Sequence, residues 1–209
     1  MTADLTSQTS RDFVTVLSLA ATAYREQSHN RPSAEVVVNA LLQAEKAAKQ
    51  QRLTYPFESL VAGWRLCFVT GTKKVRNKAG IVLGKGFYVP RLTPTHIFFN
   101  TTPAVDEIPS REEIGNSVQF GPFLLQLKGP AQYLGKKNLL AFDFLQMQIS
   151  LFGRVIYTGS IRGGKAGAEN FYQQPVSKLP FFGFFLVTQD FIAARGRGGG
   201  LALWIREKN

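Results

Sequence analysis

The chain has 209 residues but only one cysteine, two histidines and two methionines, so it has little from which to build redox or soft-metal chemistry. Cys67 cannot close an internal disulfide. That excludes the disulfide-framed scaffolds of small secreted domains and points to a reducing compartment. It lies in an apolar run, where a buried, inert thiol is expected. His29 and His96 are far apart, and neither stands at metal-ligand spacing from Cys67. No stretch reaches the roughly 18 to 20 apolar residues that a spanning helix needs. The strongest apolar run, Leu179 to Thr188, is strand-sized and holds Pro180 and Gly183. The first residues lack the basic start and apolar centre of a secretory signal, and no cleaved transit peptide is expected. Gly-x-Ser-x-Gly is absent, as is Walker spacing around Gly163-Gly164-Lys165-Ala166-Gly167. Enzymatic machinery is therefore thin, and a non-enzyme is the favoured reading. Acidic residues are also scarce, 14 against 25 Lys and Arg. The resulting net charge of +11 implies an anionic partner: nucleic acid, an anionic bilayer surface or an acidic protein.

Phenylalanine, by contrast, is abundant at 17 residues, and 19 glycines punctuate the apolar runs. At the front, Thr9 is positioned to cap a helix carrying Phe13, Val16, Leu17, Ala20 and Tyr24 at helical spacing. Residues 1–10 read as a disordered tail. Ser33 opens a second helix with a stripe of Val37, Leu41, Ala44 and Ala48. Beyond Pro56 the texture becomes that of short strands: Leu60 to Thr70, Ile81 to Val89, Thr95 to Thr101, Val118 to Leu127, Leu139 to Leu151, Gly153 to Thr158, Pro180 to Thr188, Phe191 to Ala194 and Leu201 to Arg206. The acidic segment Pro103 to Gly115 reads as a loop or an edge excursion. Within Leu139 to Leu151 the apolar parity switches between Phe144 and Leu145, which predicts a bulge, a bend or two strands run together. Gly196 to Gly200 reads as the tight connection between the last two strands. One domain over 11–209 is expected, with helices over about 11–52 and a barrel over about 60–206. The predicted fold is mainly β, a closed or nearly closed antiparallel barrel behind two N-terminal helices.

Inside such a barrel the aromatic residues either fill the space or line a cavity. Trp64, Phe98, Phe123, Phe142, Phe144 and Phe184, with Gln126 and Gln146 as polar partners, are the candidates to line a pocket for an apolar molecule. The span from Ser59 to Val105 carries seven bases and no acid. Of these, Lys73, Lys74, Arg76, Lys78 and Lys85 are candidates to dock on an anionic membrane. Asp143, alone in an apolar segment, is expected to be structural.

Two places resemble the plastid lipid-associated protein family, also called fibrillins. One is Gly63-Trp64-Arg65-Leu66-Cys67-Phe68-Val69-Thr70. The other is Asp190-Phe191-Ile192-Ala193-Ala194-Arg195-Gly196-Arg197-Gly198-Gly199. The resemblance implies a lipocalin-like barrel with Gly63, Trp64, Asp190, Arg195, Gly196 and Gly199 as structural residues. Trp64 would lie across the barrel bottom with Arg195 stacked on its indole. It further implies a bound lipid, carotenoid or prenylquinone. The expected partners are anionic thylakoid lipids and photosynthetic membrane proteins. The expected location is the cytoplasmic side of the thylakoid, or the cytoplasm, of a cyanobacterium, or a lipid-droplet surface. Two alternatives remain open at this stage: a barrel enzyme similar to bilin lyases, and a basic nucleic-acid-binding module, the latter disfavoured.

Overall fold

The computed structural model describes residues 2–75, 80–103, 110–161, 167 and 170–207, with backbone alone at 2–11, 73–75 and 80–82. Two helices come first, α1 (Thr2–Glu26) and α2 (Ala34–Gln51). Ser33 is the extended N-cap of α2, its side chain accepting from the Val36 N–H at 3.4 Å. Such caps contribute about 1 kcal/mol. Val37, Leu41, Ala44 and Ala48 are buried as the stripe requires, joined by Ala40 and Glu45. Helix α1 begins well before the expected Thr9 cap. Residues 2–10 continue it because nothing between Thr2 and Glu26 is a proline or glycine that would break it.

Among the described residues eleven strands follow: β1 (Ala62–Val75), β2 (Gly80–Tyr88), β3 (Thr95–Thr102), β4 (Arg111–Phe120), β5 (Phe123–Leu134), β6 (Leu139–Phe142), β7 (Gln146–Leu151), β8 (Arg154–Ser160), β9 (Phe181–Val187), β10 (Phe191–Gly196) and β11 (Leu201–Arg206). Eight of them, β1, β3, β4, β5, β6, β9, β10 and β11, pair antiparallel in that sequence order, and β11 pairs back onto β1. The result is a closed, up-and-down, lipocalin-like barrel. The other strands are excursions. β2 folds back on the outer half of β1, from Phe68 to Val75, while β7 pairs with the first half of β5 and β8 with β7.

Two expectations are corrected here, and a third is resolved among its own alternatives. The acidic segment is strand from Arg111, because Glu112 and Glu113 sit in register with Ala131 and Pro130 on β5; residues 104–109 lie outside the described residues. Val118 to Leu127 is not one strand but a hairpin, turning at Gly121 and Pro122 between Phe120 and Phe123. The parity switch is two strands run together: β6 ends at Phe142, and a corner at 143–145 starts β7.

Asp143 makes that corner. Its carboxylate accepts from the Phe144 N–H at 2.9 Å, while its own N–H donates to the Pro130 carbonyl at 3.2 Å. The corner is pressed onto Gly129, where an added Cβ would stand 1.9 Å from the Asp143 carbonyl oxygen.

Side-chain alternation then sorts residues into two cores. The inner faces contribute Trp64, Ile97, Phe99, Ile114, Ala131, Leu140, Phe142, Phe184, Ile192, Ala194 and Trp204 to the lumen. The outer faces of β1, β9, β10 and β11 present Cys67, Phe68, Phe185, Phe191, Ala193, Leu203 and Ile205, which the two helices cover. The helices therefore pack on the barrel. Cys67 is fully buried among these groups, and burial pushes its thiol up to about 12. The short helical turn Phe57–Ser59, with Leu60, closes the lumen beneath Trp64, whose indole N–H donates to the Leu60 carbonyl at 2.7 Å.

Gly129→Val is expected to destabilise the fold by about 1–3 kcal/mol or more, since backbone and not a flexible side chain must move. Gly71→Val, with nothing within 4 Å of the added Cβ, serves as its control. Paired urea titrations measure both. Equal midpoints would remove the Gly129–Asp143 contact from the list of fold determinants.

Candidate functional site

The lumen is lined with rings in contact. Phe142 and Phe182 stack at 5.0 Å, and Phe182 meets Trp204 edge-on at 5.5 Å. Phe99 meets Phe184 edge-on at 5.8 Å. The lumen is thus filled from its closed end by the protein's own side chains, as an eight-stranded barrel permits. Towards the opposite end burial falls off: Leu66, Phe144, Phe182 and Ala202 pack on the inner core but are only half-buried.

From that open end the inner face continues outward. β4 and β5 pair without a register shift from Glu112↔Ala131 to Phe120↔Phe123. Val118, Phe120, Phe123, Leu125 and Leu127 therefore lie on the same face as the lumen residues Ile114 and Ala131. β7 adds Met147 opposite Leu127, Ile149 opposite Leu125 and Leu151 opposite Phe123. All of these are half-buried or exposed. The outcome is an apolar shelf, four strands wide including β8, that runs from the barrel mouth to the hairpin tips. Its opposite face carries Ser117, Gln126, Lys128, Gln146 and Gln148, with Gln148 donating to Gln126 at 3.2 Å. The alternation visible in the sequence thus has its apolar side turned to the lumen and its glutamines turned away.

At the tip, the β7–β8 turn is Phe152–Gly153, both at positive φ (48° and 75°). Asparagine-glycine is the usual pair in such a turn, and a phenylalanine there sits in a sparsely populated backbone region. Its ring is 80% exposed, so neither folding nor packing explains the residue. The Phe152 N–H donates to the Pro122 carbonyl at 3.0 Å, which ties this turn to the β4–β5 turn. Phe120 (70% exposed) and Phe123 flank that second turn. A further bond, from the Gln119 N–H to the Pro94 carbonyl, brings in the loop carrying the exposed Leu92. Arg154, exposed and paired with Leu151, borders the group.

Of the predicted pocket residues, the lumen brings together Trp64, Phe142, Phe144 and Phe184. Phe123 belongs to the shelf. Phe98 lies on the outer face of β3 over Gly63, where an added Cβ would stand 3.1 Å from its ring. Gln126 and Gln146 lie on the polar face of the extension, because side chains two apart share a face and theirs is opposite to Leu125, Leu127 and Met147. Of the docking residues, Lys73 and Lys74 are on β1 and Lys85 is exposed on β2, while Arg76 and Lys78 lie outside the described residues. Sequence reading missed the tip, although its signal was present: Phe120 and Phe152 each precede a turn glycine, and Phe123 follows the Gly121-Pro122 turn.

The expected stack of Arg195 on Trp64 is replaced. Arg206 lies 4.4 Å over the indole instead, being the register partner of Trp64 on β11. Arg195 faces outward and binds the Glu45 carboxylate of α2 through Nε at 2.8 Å and through Nη2. It also donates to the Gly199 carbonyl, holding the Gly196–Gly200 turn. Gly63 makes room for Phe98, and the Asp190 carbonyl accepts from the Arg206 N–H at 2.7 Å. Among the described residues no group of three or more His, Cys, Asp and Glu is arranged to hold a metal ion.

The chain matches no family model, no curated protein and no solved structure. The fold alone is that of a β-barrel suited to binding small molecules, and a site must be argued from its own geometry.

The Arg195 hydrogen bonds hold the Glu45 carboxyl below the ordinary range. A lowered folded-state value gives stability that is present above the unfolded value and lost as pH falls through the folded one. Stability is therefore expected to fall on acidification below about pH 4–5, the ordinary carboxylate range. Glu45→Gln should be less stable at pH 7 and show a shallower acid slope, read from melting temperatures between about pH 3 and 7. Parallel slopes for the two proteins would show that Glu45 is not linked to folding.

Proposed function

We propose that this protein binds a hydrophobic isoprenoid or lipid (a carotenoid, prenylquinone or glycolipid) without chemical conversion, while docked on an anionic lipid surface. The observation that carries the reading is the apolar shelf, which continues the lumen face outward and ends in a tip of exposed phenylalanines. An extended apolar molecule lying on it would touch Leu127, Met147, Ile149 and Phe123, and reach half-buried Phe182 and Phe144 at the mouth. Water is displaced from both surfaces, which is the driving force for such partition.

Docking follows from the same end of the barrel. Register places the outer half of β1 beyond Val69 at the end where β3 starts and β4 ends. The basic β1–β2 hairpin and the aromatic tip thus leave the barrel together. Each phenylalanine withdrawn from water contributes about 1.5–3 kcal/mol, and each base near an anionic surface about 1 kcal/mol. The net charge of +11 adds a long-range attraction of the same sign. Rings on turn tips suit immersion among acyl chains, since no flat partner surface is needed to cover them. The two motifs shared with fibrillins support placing the protein in that family. On this reading it is peripheral to the thylakoid on its cytoplasmic face, or on lipid droplets, in a cyanobacterium.

Two measurements test the proposal. Flotation with phosphatidylglycerol vesicles should show salt-sensitive binding that is weaker on phosphatidylcholine alone. Phe152→Asn should weaken it by about tenfold or more while leaving the melting temperature equal or higher, because asparagine suits the positive φ. Separately, both tryptophans are in the lumen, so a short-chain prenylquinone on the shelf should quench their fluorescence, and Leu127→Arg should abolish the quenching. Vesicle binding without quenching would reduce the role to surface coating. Absence of both would end the proposal.

A further inference from the structure

A second concavity lies on the opposite side of the barrel wall from the lumen, where the end of α2 meets β9 and the turn before β6. It encloses about 410 Å³, within the range of small-ligand sites. Five cations and one carboxylate line it. The carboxylate, Glu45, is already engaged by Arg195 and by Lys49, the latter at 3.0 Å. Arg52, Lys136 and Lys137 are exposed and have no hydrogen-bond or ion-pair partner of their side chains among the described residues. Of the carbonyls ending α2, those of Ala48 and Lys49 are capped by the Arg52 N–H.

The floor is apolar and contains a gap. Gly183 sits in the middle of β9, in register with the outward-facing Arg195, so its missing side chain is on the outer face. Phe181 and Phe185 stand on either side and also line the concavity. Glycine weakens a strand interior, and one usually marks close approach of backbone or ligand. No backbone approaches here: an added Cβ would meet only the Arg195 carbonyl oxygen, at 3.9 Å, and the φ is not positive. Among the described residues, neither a close backbone approach nor a positive φ calls for glycine at 183. The space it leaves opens into a cleft with unpaired cations on its rim.

We infer that this cleft is a second ligand site, specific for an anionic amphiphile. The apolar body lies across Gly183 between Phe181 and Phe185, and the phosphate, sulfate or carboxylate head meets Arg52, Lys136 and Lys137. The inference does not depend on the shelf, since the two sites face opposite sides of the wall and differ in charge.

The test uses monomeric dodecyl phosphate, below its micelle-forming concentration, titrated calorimetrically into the full chain without vesicles. Wild type is expected to bind it, and to bind inorganic phosphate and dodecyltrimethylammonium far more weakly. Gly183→Val should abolish binding with the melting temperature unchanged or raised, valine being a strong strand former with room for its Cβ. The double variant Lys136→Glu, Lys137→Glu should weaken binding by about tenfold or more while leaving the floor intact. Equal binding of the phosphate and ammonium amphiphiles would overturn the anionic head. Equal binding of inorganic phosphate would overturn the amphiphile. If Leu127→Arg removed binding and Gly183→Val kept it, the ligand would be on the shelf and the cleft inference would fall.

Discussion

The pairing of β11 with β1 decides most of what else this chain can do. Antiparallel ladders joined by short turns would otherwise end in two exposed edges, with unpaired N–H and C=O groups inviting aggregation. Closing eight strands removes those edges and fixes the diameter, and an eight-stranded lumen is just wide enough for side chains to fill. Trp64, Phe99, Phe142, Phe184 and Trp204 fill its closed end. The same closure forces the outer faces of β1, β9, β10 and β11, which are as apolar as the inner ones, to be covered by α1 and α2.

Closure also explains why the binding surfaces are where they are. β1 and β5 are longer than the barrel wall needs, at 14 and 12 residues, so their surplus halves leave the wall and take β2, or β7 and β8, with them. Alternation does not stop at the barrel rim. The inner face of β5 stays apolar beyond the point where a lumen exists to bury it, and that surplus becomes the shelf. A filled barrel can therefore bind an apolar molecule at its mouth without holding an empty interior.

Electrostatics divides the surface further. Few acids are present, and Glu45 is buried against Arg195, bracing α2 onto β10. Breaking such a pair leaves an uncompensated charge, which is why it acts as a brace more than as a source of net stability. Among the described bases, Lys85 on β2 is exposed, as are Arg52, Lys136 and Lys137 around the cleft. Cation pairing with Trp64 fell to Arg206 and not to Arg195 because two neighbouring strand residues point to opposite sides. Arg195 is opposite Gly183 on the outer face, whereas Arg206 is opposite Trp64.

Period-2 alternation, the capping signal at Ser33, the glycine turn at 196–200 and the parity switch before Leu145 are local properties, and each was legible from residue order because local sterics and hydrogen bonding produce them. The fold class followed from many such short strands, which favour a closed or nearly closed barrel. What residue order could not supply was direction: which face of the β7 pattern meets the lumen, which arginine reaches Trp64, and whether Phe98 looks in or out. Those depend on register between strands up to about 140 residues apart, such as Trp64 with Arg206, and a shift of one residue would reverse every answer. The shelf, the tip held by the Phe152–Pro122 bond and the cleft at Gly183 are all products of that register. The residue types at these sites were set by the sequence, but their meeting was decided by the closed tertiary structure, because only closure settles which side of each strand is inside.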